Sequence, residues 1–201
     1  MPTDAVFSWG LIKHMNIVLI GYRCSGKTTV GKALAKALGR QFVDTDRTIE
    51  ECARISIDQL VARFGWDCFR EIEESVIKKV CLKDRLVIAT GGGAIVREAN
   101  RATLKRNGWV VWLEGKIEVL KTRMRTQERF GKPRPSFREM DPFSEIEQVM
   151  ESRQRLYEGM ADLIADTTEA DIRQVVRIIR GAFPGTKQGH GHGRKLIWQT
   201  V

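Results

Sequence analysis

No run in this 201-residue chain approaches the ~18 consecutive apolar residues of a membrane-spanning helix, so none is expected. Cysteine is scarce. Cys24, Cys52, Cys68 and Cys81 show no C-x-x-C spacing, which argues against a zinc ribbon or a disulfide framework and for reduced thiols in a cytoplasmic protein. The residues before Met15 have neither a basic start nor a long apolar core, so they read as an N-terminal extension (1–14) rather than a signal peptide. Acidic residues are the charge in deficit, 25 Asp and Glu against 34 Lys and Arg, net +9. Between Arg101 and Arg138 there are eleven Lys/Arg and three Glu, nearly the whole excess. That segment has no aromatic interleaving and is not a uniform basic tract, so it suits an anionic small molecule better than nucleic acid. No internal repeat is visible.

What remains is ordinary for a globular protein: 42% hydrophobic and 29% charged residues. The length fits one α/β domain burying roughly 70% of its unfolded surface. Apolar runs at Asn16–Ile20, Phe42–Asp44, Leu86–Ala89, Trp109–Leu113 and Leu163–Ala165 read as strands of a parallel sheet covered on both faces. Between them lie helical stretches at Lys27–Leu38, Thr48–Cys52 with Ile57–Phe64, Trp66–Val80, Asn100–Asn107, Ile117–Arg125, Ser144–Met160 and Glu169–Ala182. Alternation of this kind predicts a five-stranded doubly wound sandwich with ligands at the C-terminal ends of the strands. Residues 15–182 form that single domain. Thr126–Pro142, with Gly131, Pro133, Pro135 and Pro142, breaks the rhythm and reads as a lid or binding loop. Residues 183–201, rich in glycine with His190 and His192, read as a flexible tail whose Leu196-Ile197-Trp198 could dock.

Gly21-Tyr22-Arg23-Cys24-Ser25-Gly26-Lys27-Thr28-Thr29 follows the first strand and opens the first helix. In that setting G-x-x-x-x-G-K-[ST] is a phosphate cradle: backbone N–H groups curl inward and the helix presents its positive end. Lys27 would reach the β- and γ-phosphates and the Thr28 hydroxyl would ligate Mg²⁺. Asp44-Thr45-Asp46 ends the second strand on the same edge of the sheet, where one carboxylate could serve Mg²⁺ and the other a substrate hydroxyl. A helix N-cap at Asp46 is the structural alternative. Gly91-Gly92-Gly93 follows the third strand and lets a ligand approach the backbone. Arg70 and Arg153 occupy polar helix positions which, taken singly, suit solvated side chains.

Taken together, Ile20-Gly21…Gly26-Lys27-Thr28, Asp44-Thr45-Asp46…Ile49-Glu50, Phe69-Arg70-x-x-Glu73, Ala89-Thr90-Gly91-Gly92-Gly93, Arg134-Pro135 and Arg153-x-x-Leu156-Tyr157 resemble the shikimate kinase family in order and spacing. The resemblance covers Met15 to about Ala182. It implies a nucleoside-monophosphate-kinase-like fold with a substrate-binding helical region after the second strand and a mobile lid. It implies ATP, Mg²⁺ and shikimate as ligands, with transfer of the γ-phosphate to the 3-hydroxyl. Asp46 would hold a ring hydroxyl and act as base, Arg70 and Arg153 would clamp the carboxylate, and Gly91, Gly92 and Gly93 would contact the ring. Asp44 would support Mg²⁺ through water, beside Thr28. ATP would lie on Arg23, Cys24, Ser25, Gly26, Lys27, Thr28 and Thr29. Arg134 would bridge substrate and γ-phosphate, with Arg129 and Arg138 as competitors for that contact. A monomer acting on small molecules alone is expected.

Three departures stand out. Cys24 replaces a glycine frequent in the family's loop, the lid reads Arg134-Pro135-Ser136-Phe137, and no arginine–proline adenine turn follows the fifth strand. The rival readings are a related small-molecule kinase, such as a gluconate kinase, and a nucleotide-binding regulatory module without catalysis.

Overall fold

The computed structural model describes residues 14–130, 142–184 and 196–198. Five strands, β1 (Asn16–Ile20), β2 (Gln41–Asp44), β3 (Leu86–Ala89), β4 (Gly108–Glu114) and β5 (Leu163–Asp166), lie within one or two residues of the expected runs. A sixth, β6 (Leu196–Trp198), lies inside the stretch read as a tail and pairs with β5. The sheet order is β2-β3-β1-β4-β5-β6, and every pairing is parallel. The helices are α1 (Lys27–Leu38), α2 (Thr45–Ala53), α3 (Ile57–Cys81), α4 (Glu98–Asn107), α5 (Ile117–Phe130), α6 (Pro142–Met160) and α7 (Ile172–Ala182).

Parallel strands alternate their side chains between two covered faces, and β1 shows both. Val18 and Ile20 pack toward Ile49, Phe69, Ile77 and Leu104, from α2, α3 and α4. Ile17 and Leu19 pack toward Val30, Leu34, Val175 and Ile179, from α1 and α7. β1 lies between β3 and β4: the chain passes from it to the edge strand β2, returns to β3 beside it, and then crosses to β4 on its other side. The resulting crevice opens at the C-terminal ends of the strands, where an open α/β sheet places its ligands.

Two helical features shape that crevice. Gly65 interrupts α3 with φ 79° and ψ 171°, where the sequence divides Ile57–Phe64 from Trp66–Val80. Glycine adopts that backbone without a Cβ penalty, and past it Trp66 and Phe69 meet edge to face at 5.6 Å. At the opposite rim the expected loop 126–142 is too long. α5 continues through Phe130 and α6 begins at Pro142, a proline in the first helical turn where its missing N–H costs little. Thr126 to Phe130 are therefore helical, and 131–141 fall outside the described residues.

Candidate active site

The phosphate loop is shaped as its sequence demands. Gly26 caps α1 in a left-handed conformation, φ 95°, without a side-chain cap, so the first-turn N–H groups face the crevice. Cys24 is also left-handed, φ 61°, which explains a preference for glycine there; the thiol donates to Gln127 Oε1 at 3.0 Å. Lys27 is buried, and its Nζ donates to the carbonyls of Gly21 and Tyr22 at 2.8 and 2.7 Å. The ammonium is thus held inside the loop it would share with a phosphate.

The acidic pair differs from its expected form. Asp46 is not in extended chain; it lies in the first turn of α2, and Asp44 rather than Asp46 is the cap. Asp44 Oδ1 accepts from the Asp46 N–H at 3.1 Å and the Arg47 N–H at 3.5 Å. Asp44 Oδ2 accepts from Thr28 Oγ1 at 2.8 Å, so the two expected Mg²⁺ residues touch. A hydroxyl and a carboxylate beside a phosphate loop fit Mg²⁺, which prefers oxygen ligands and keeps waters of its own.

Asp46 instead faces the glycine turn. None of Gly91, Gly92 or Gly93 has a positive φ, so close approach, not turn geometry, explains them. A Cβ on Gly91 would sit 2.5 Å from Asp46 Oδ1 and 3.2 Å from Glu73 Oε1, and one on Gly93 would collide with Arg70 Nη2. Gly92 offers its carbonyl to Arg153 Nη1 at 3.1 Å and to Tyr157 OH at 3.0 Å. The three glycines therefore meet, in order, Asp46, Arg153 and Arg70.

The two arginines are not the solvated side chains their helix positions suggest. Arg153 is 9% exposed, and the Arg70 side chain is 13% exposed, above the rings of Phe69 and Trp66 at 5.1 and 5.6 Å. Burial pulls the Arg153 guanidinium below its usual pKa; Tyr157 opposes that shift and the positive charge of Arg70 adds to it. Two buried cations close enough to feel one another suit a carboxylate forked between them. Tyr157, stacked on Trp112 at 5.4 Å, is pushed up to about 12 by burial and stays a neutral donor.

Arg70 is itself held by Glu73, Nη1 to Oε2 at 2.7 Å. Glu73 is 1% exposed, and burial raises its pKa above the ordinary value, with Arg70 opposing and the Asp46 charge adding. A carboxyl that keeps its proton longer in the folded state contributes stability at low pH that is lost as pH rises through its folded pKa. Glu73→Gln removes that loss. The melting temperature of Glu73→Gln minus that of the wild-type protein should therefore rise from pH 4.5 toward neutrality; a difference independent of pH would refute the burial account.

The crevice itself encloses about 800 Å³. The whole run Arg23–Thr29 lines it, with Asp44, Asp46 and Gly92, whereas Arg70 and Arg153 lie outside its lining, against the glycine turn. Its other wall was not read from the sequence: Thr122, Arg123 and Thr126 from α5, and Thr167, Ala170 and Ile172 after β5. Arg123 donates from Nη1 to Thr167 Oγ1 at 3.2 Å and from Nη2 to the Thr167 carbonyl at 2.5 Å, tying α5 to the residues after β5. Arg134 and Arg138 fall outside the described residues, and Arg129 lies on α5.

A family model described as shikimate kinase matches residues 23–182. The shikimate kinase of Rhodopirellula baltica is 36% identical over 175 residues, covering 87% of this chain and 94% of the relative. That of Hahella chejuensis is 41% identical over 164 residues, covering 82% and 83%. Among solved structures, the shikimate kinase of Acinetobacter baumannii in complex with shikimate aligns with a TM-score of 0.80 at 32% identity, covering 90% of this chain and 98% of that one. The Aquifex aeolicus enzyme aligns with a TM-score of 0.71 at 30% identity, covering 87% and 99%. With its phosphate loop and acidic pair in one crevice and its two buried arginines against the adjoining glycine turn, this chain belongs to the shikimate kinase family and is an ATP-dependent small-molecule kinase.

Proposed function

We propose that the crevice transfers the γ-phosphate of ATP to the 3-hydroxyl of shikimate, with Asp46 as the base and Arg70 and Arg153 as the carboxylate clamp. One observation carries this reading. The three consecutive glycines bring a carboxylate and two guanidinium groups against a single turn of backbone, next to the phosphate loop. A small ring carrying hydroxyls on one edge and a carboxylate on the other complements that arrangement in charge and in size.

Within this reading the chain's own groups divide the work. The first-turn N–H groups of α1 and Lys27 hold the β- and γ-phosphates. Asp46 orients the attacking hydroxyl and takes its proton. Thr28, with Asp44 through water, would hold Mg²⁺, which would offset the negative charge of the transferring group. Arg134 supplies a second cation at the γ-phosphate. Arg123 and the Thr167 turn flank the base. The enzyme works as a cytoplasmic monomer on these small molecules without nucleic acid; no helix among the described residues is long and apolar enough to cross a membrane.

A coupled ADP-release assay tests the reading. Shikimate should stimulate ADP release at least about a hundredfold over the rate without acceptor, as expected when a positioned base acts on a bound hydroxyl. Gluconate, a flexible hydroxy acid, should stimulate little. Equal stimulation by both would favour the related small-molecule kinase, and none by either would favour the regulatory module.

A further inference from the structure

Tyr22, inside the phosphate loop, is 1% exposed although it follows directly on the first glycine. Its ring belongs to neither sheet-face core. It packs in a third cluster with Leu120 and Met124 of α5 and Ile146 and Val149 of α6, the two helices that flank residues 131–141. Val149 precedes Arg153 by four residues on α6, so both lie on one helix face. The Tyr22 phenol also lies within electrostatic reach of Arg153 and Tyr157, the two donors to the Gly92 carbonyl. From the other side, a Cβ on Gly92 would stand 3.7 Å from the Tyr22 carbonyl carbon. One loop residue thus touches the nucleotide cradle, the helix that carries the clamp and the turn that receives the substrate.

We propose that Tyr22 is a positioning residue that couples phosphate binding in the loop to the stance of Arg153, so that nucleotide and acid substrate strengthen each other's binding. The inference rests on the assignment of shikimate as substrate. Its driving step is local. The Tyr22 carbonyl accepts from Lys27 Nζ at 2.7 Å, and a bound phosphate competes for that ammonium. Once Lys27 turns to the phosphate, the Tyr22 peptide loses a charged partner and can shift. Its ring is close-packed and cannot shift without moving its cluster, which includes Val149 on α6, one turn from Arg153. Coupling is reciprocal in binding free energy, so shikimate must strengthen nucleotide binding by the same factor.

Titration calorimetry decides the matter. Shikimate binding is measured with and without saturating ADP and Mg²⁺, for the wild-type chain, Tyr22→Leu and Val149→Ala. The wild-type chain should bind shikimate at least about fivefold more tightly when ADP is present. Tyr22→Leu, with an intact melting transition, should bind equally with and without ADP. Val149→Ala, which trims the same cluster on α6 and is assigned to neither ligand, should lose part of the ratio. It also serves as the test should Tyr22→Leu fail to fold. A role in folding alone would weaken both binding constants and leave their ratio unchanged. A preserved ratio in the variants, or no ratio in the wild-type chain, would overturn the coupling while leaving the substrate assignment intact. Failure of shikimate to bind at all would overturn both.

Discussion

Asp46→Asn should lower kcat for shikimate by roughly 10²- to 10⁴-fold while leaving ADP binding within about twofold of wild type, because the loss is that of a positioned base. The substitution nearly preserves shape, so the carboxamide still fits against Gly91, where Asp46 Oδ1 lies close enough to bar a Cβ. The first-turn position on α2 persists as well, since the cap there is Asp44. What is lost is the capacity to take a proton in the transition state. The measurement pairs steady-state turnover with calorimetric ADP binding. A near-normal kcat would eliminate Asp46 as base. A parallel loss of ADP affinity would mean that the acidic pair serves the metal and phosphates, with Asp46 supporting Asp44.

How much of this could be read from residues alone follows the range of the interactions involved. Continuous apolar runs announced β1, β3 and β4, because strands covered on both faces need no polar alternation. Gly65 announced the break in α3, since an isolated glycine within a helical pattern is a local signal. The phosphate loop was equally local. By contrast, Arg70 and Arg153, taken singly, suit solvated side chains because the backbone they meet comes from far along the chain: Gly93 for one, the Gly92 carbonyl for the other. Asp46 read as a possible cap because its type suits a cap; only the backbone showed that Asp44 had already taken those N–H groups. The wall formed by Arg123 and Thr167 spans 44 residues of sequence and matches no short motif, so nothing local pointed to it. Thr126–Phe130 read as loop through the nearby prolines and glycine, yet the helix ends only after them.

Arg70→Ala separates clamp from scaffold, because the proposed reading gives Arg70 two jobs whose losses differ. Toward the substrate it would contribute charge-assisted hydrogen bonds worth about 1.5–3 kcal/mol each, so removing it should raise the KM for shikimate about 10- to 100-fold. The KM for ATP should stay within about threefold, since the phosphate loop is built from other residues. Toward the fold it neutralises Glu73, which is 1% exposed and bonded to it at 2.7 Å. Leaving a buried carboxylate unpaired costs stability of about 3–5 kcal/mol, less whatever Glu73 recovers by taking up a proton, and its pKa is already raised. The double variant Arg70→Ala/Glu73→Gln removes both charges, so its melting temperature should return most of the way to wild type while the shikimate KM stays high. Equal rises in both Michaelis constants would sink the clamp assignment, as would recovery of the shikimate KM along with stability, which would make the arginine's role purely structural. A KM that stays high in a restored fold would tie the guanidinium to the substrate carboxylate directly, with Arg153, held by the neighbouring glycine carbonyl, as the proposed second prong of the fork.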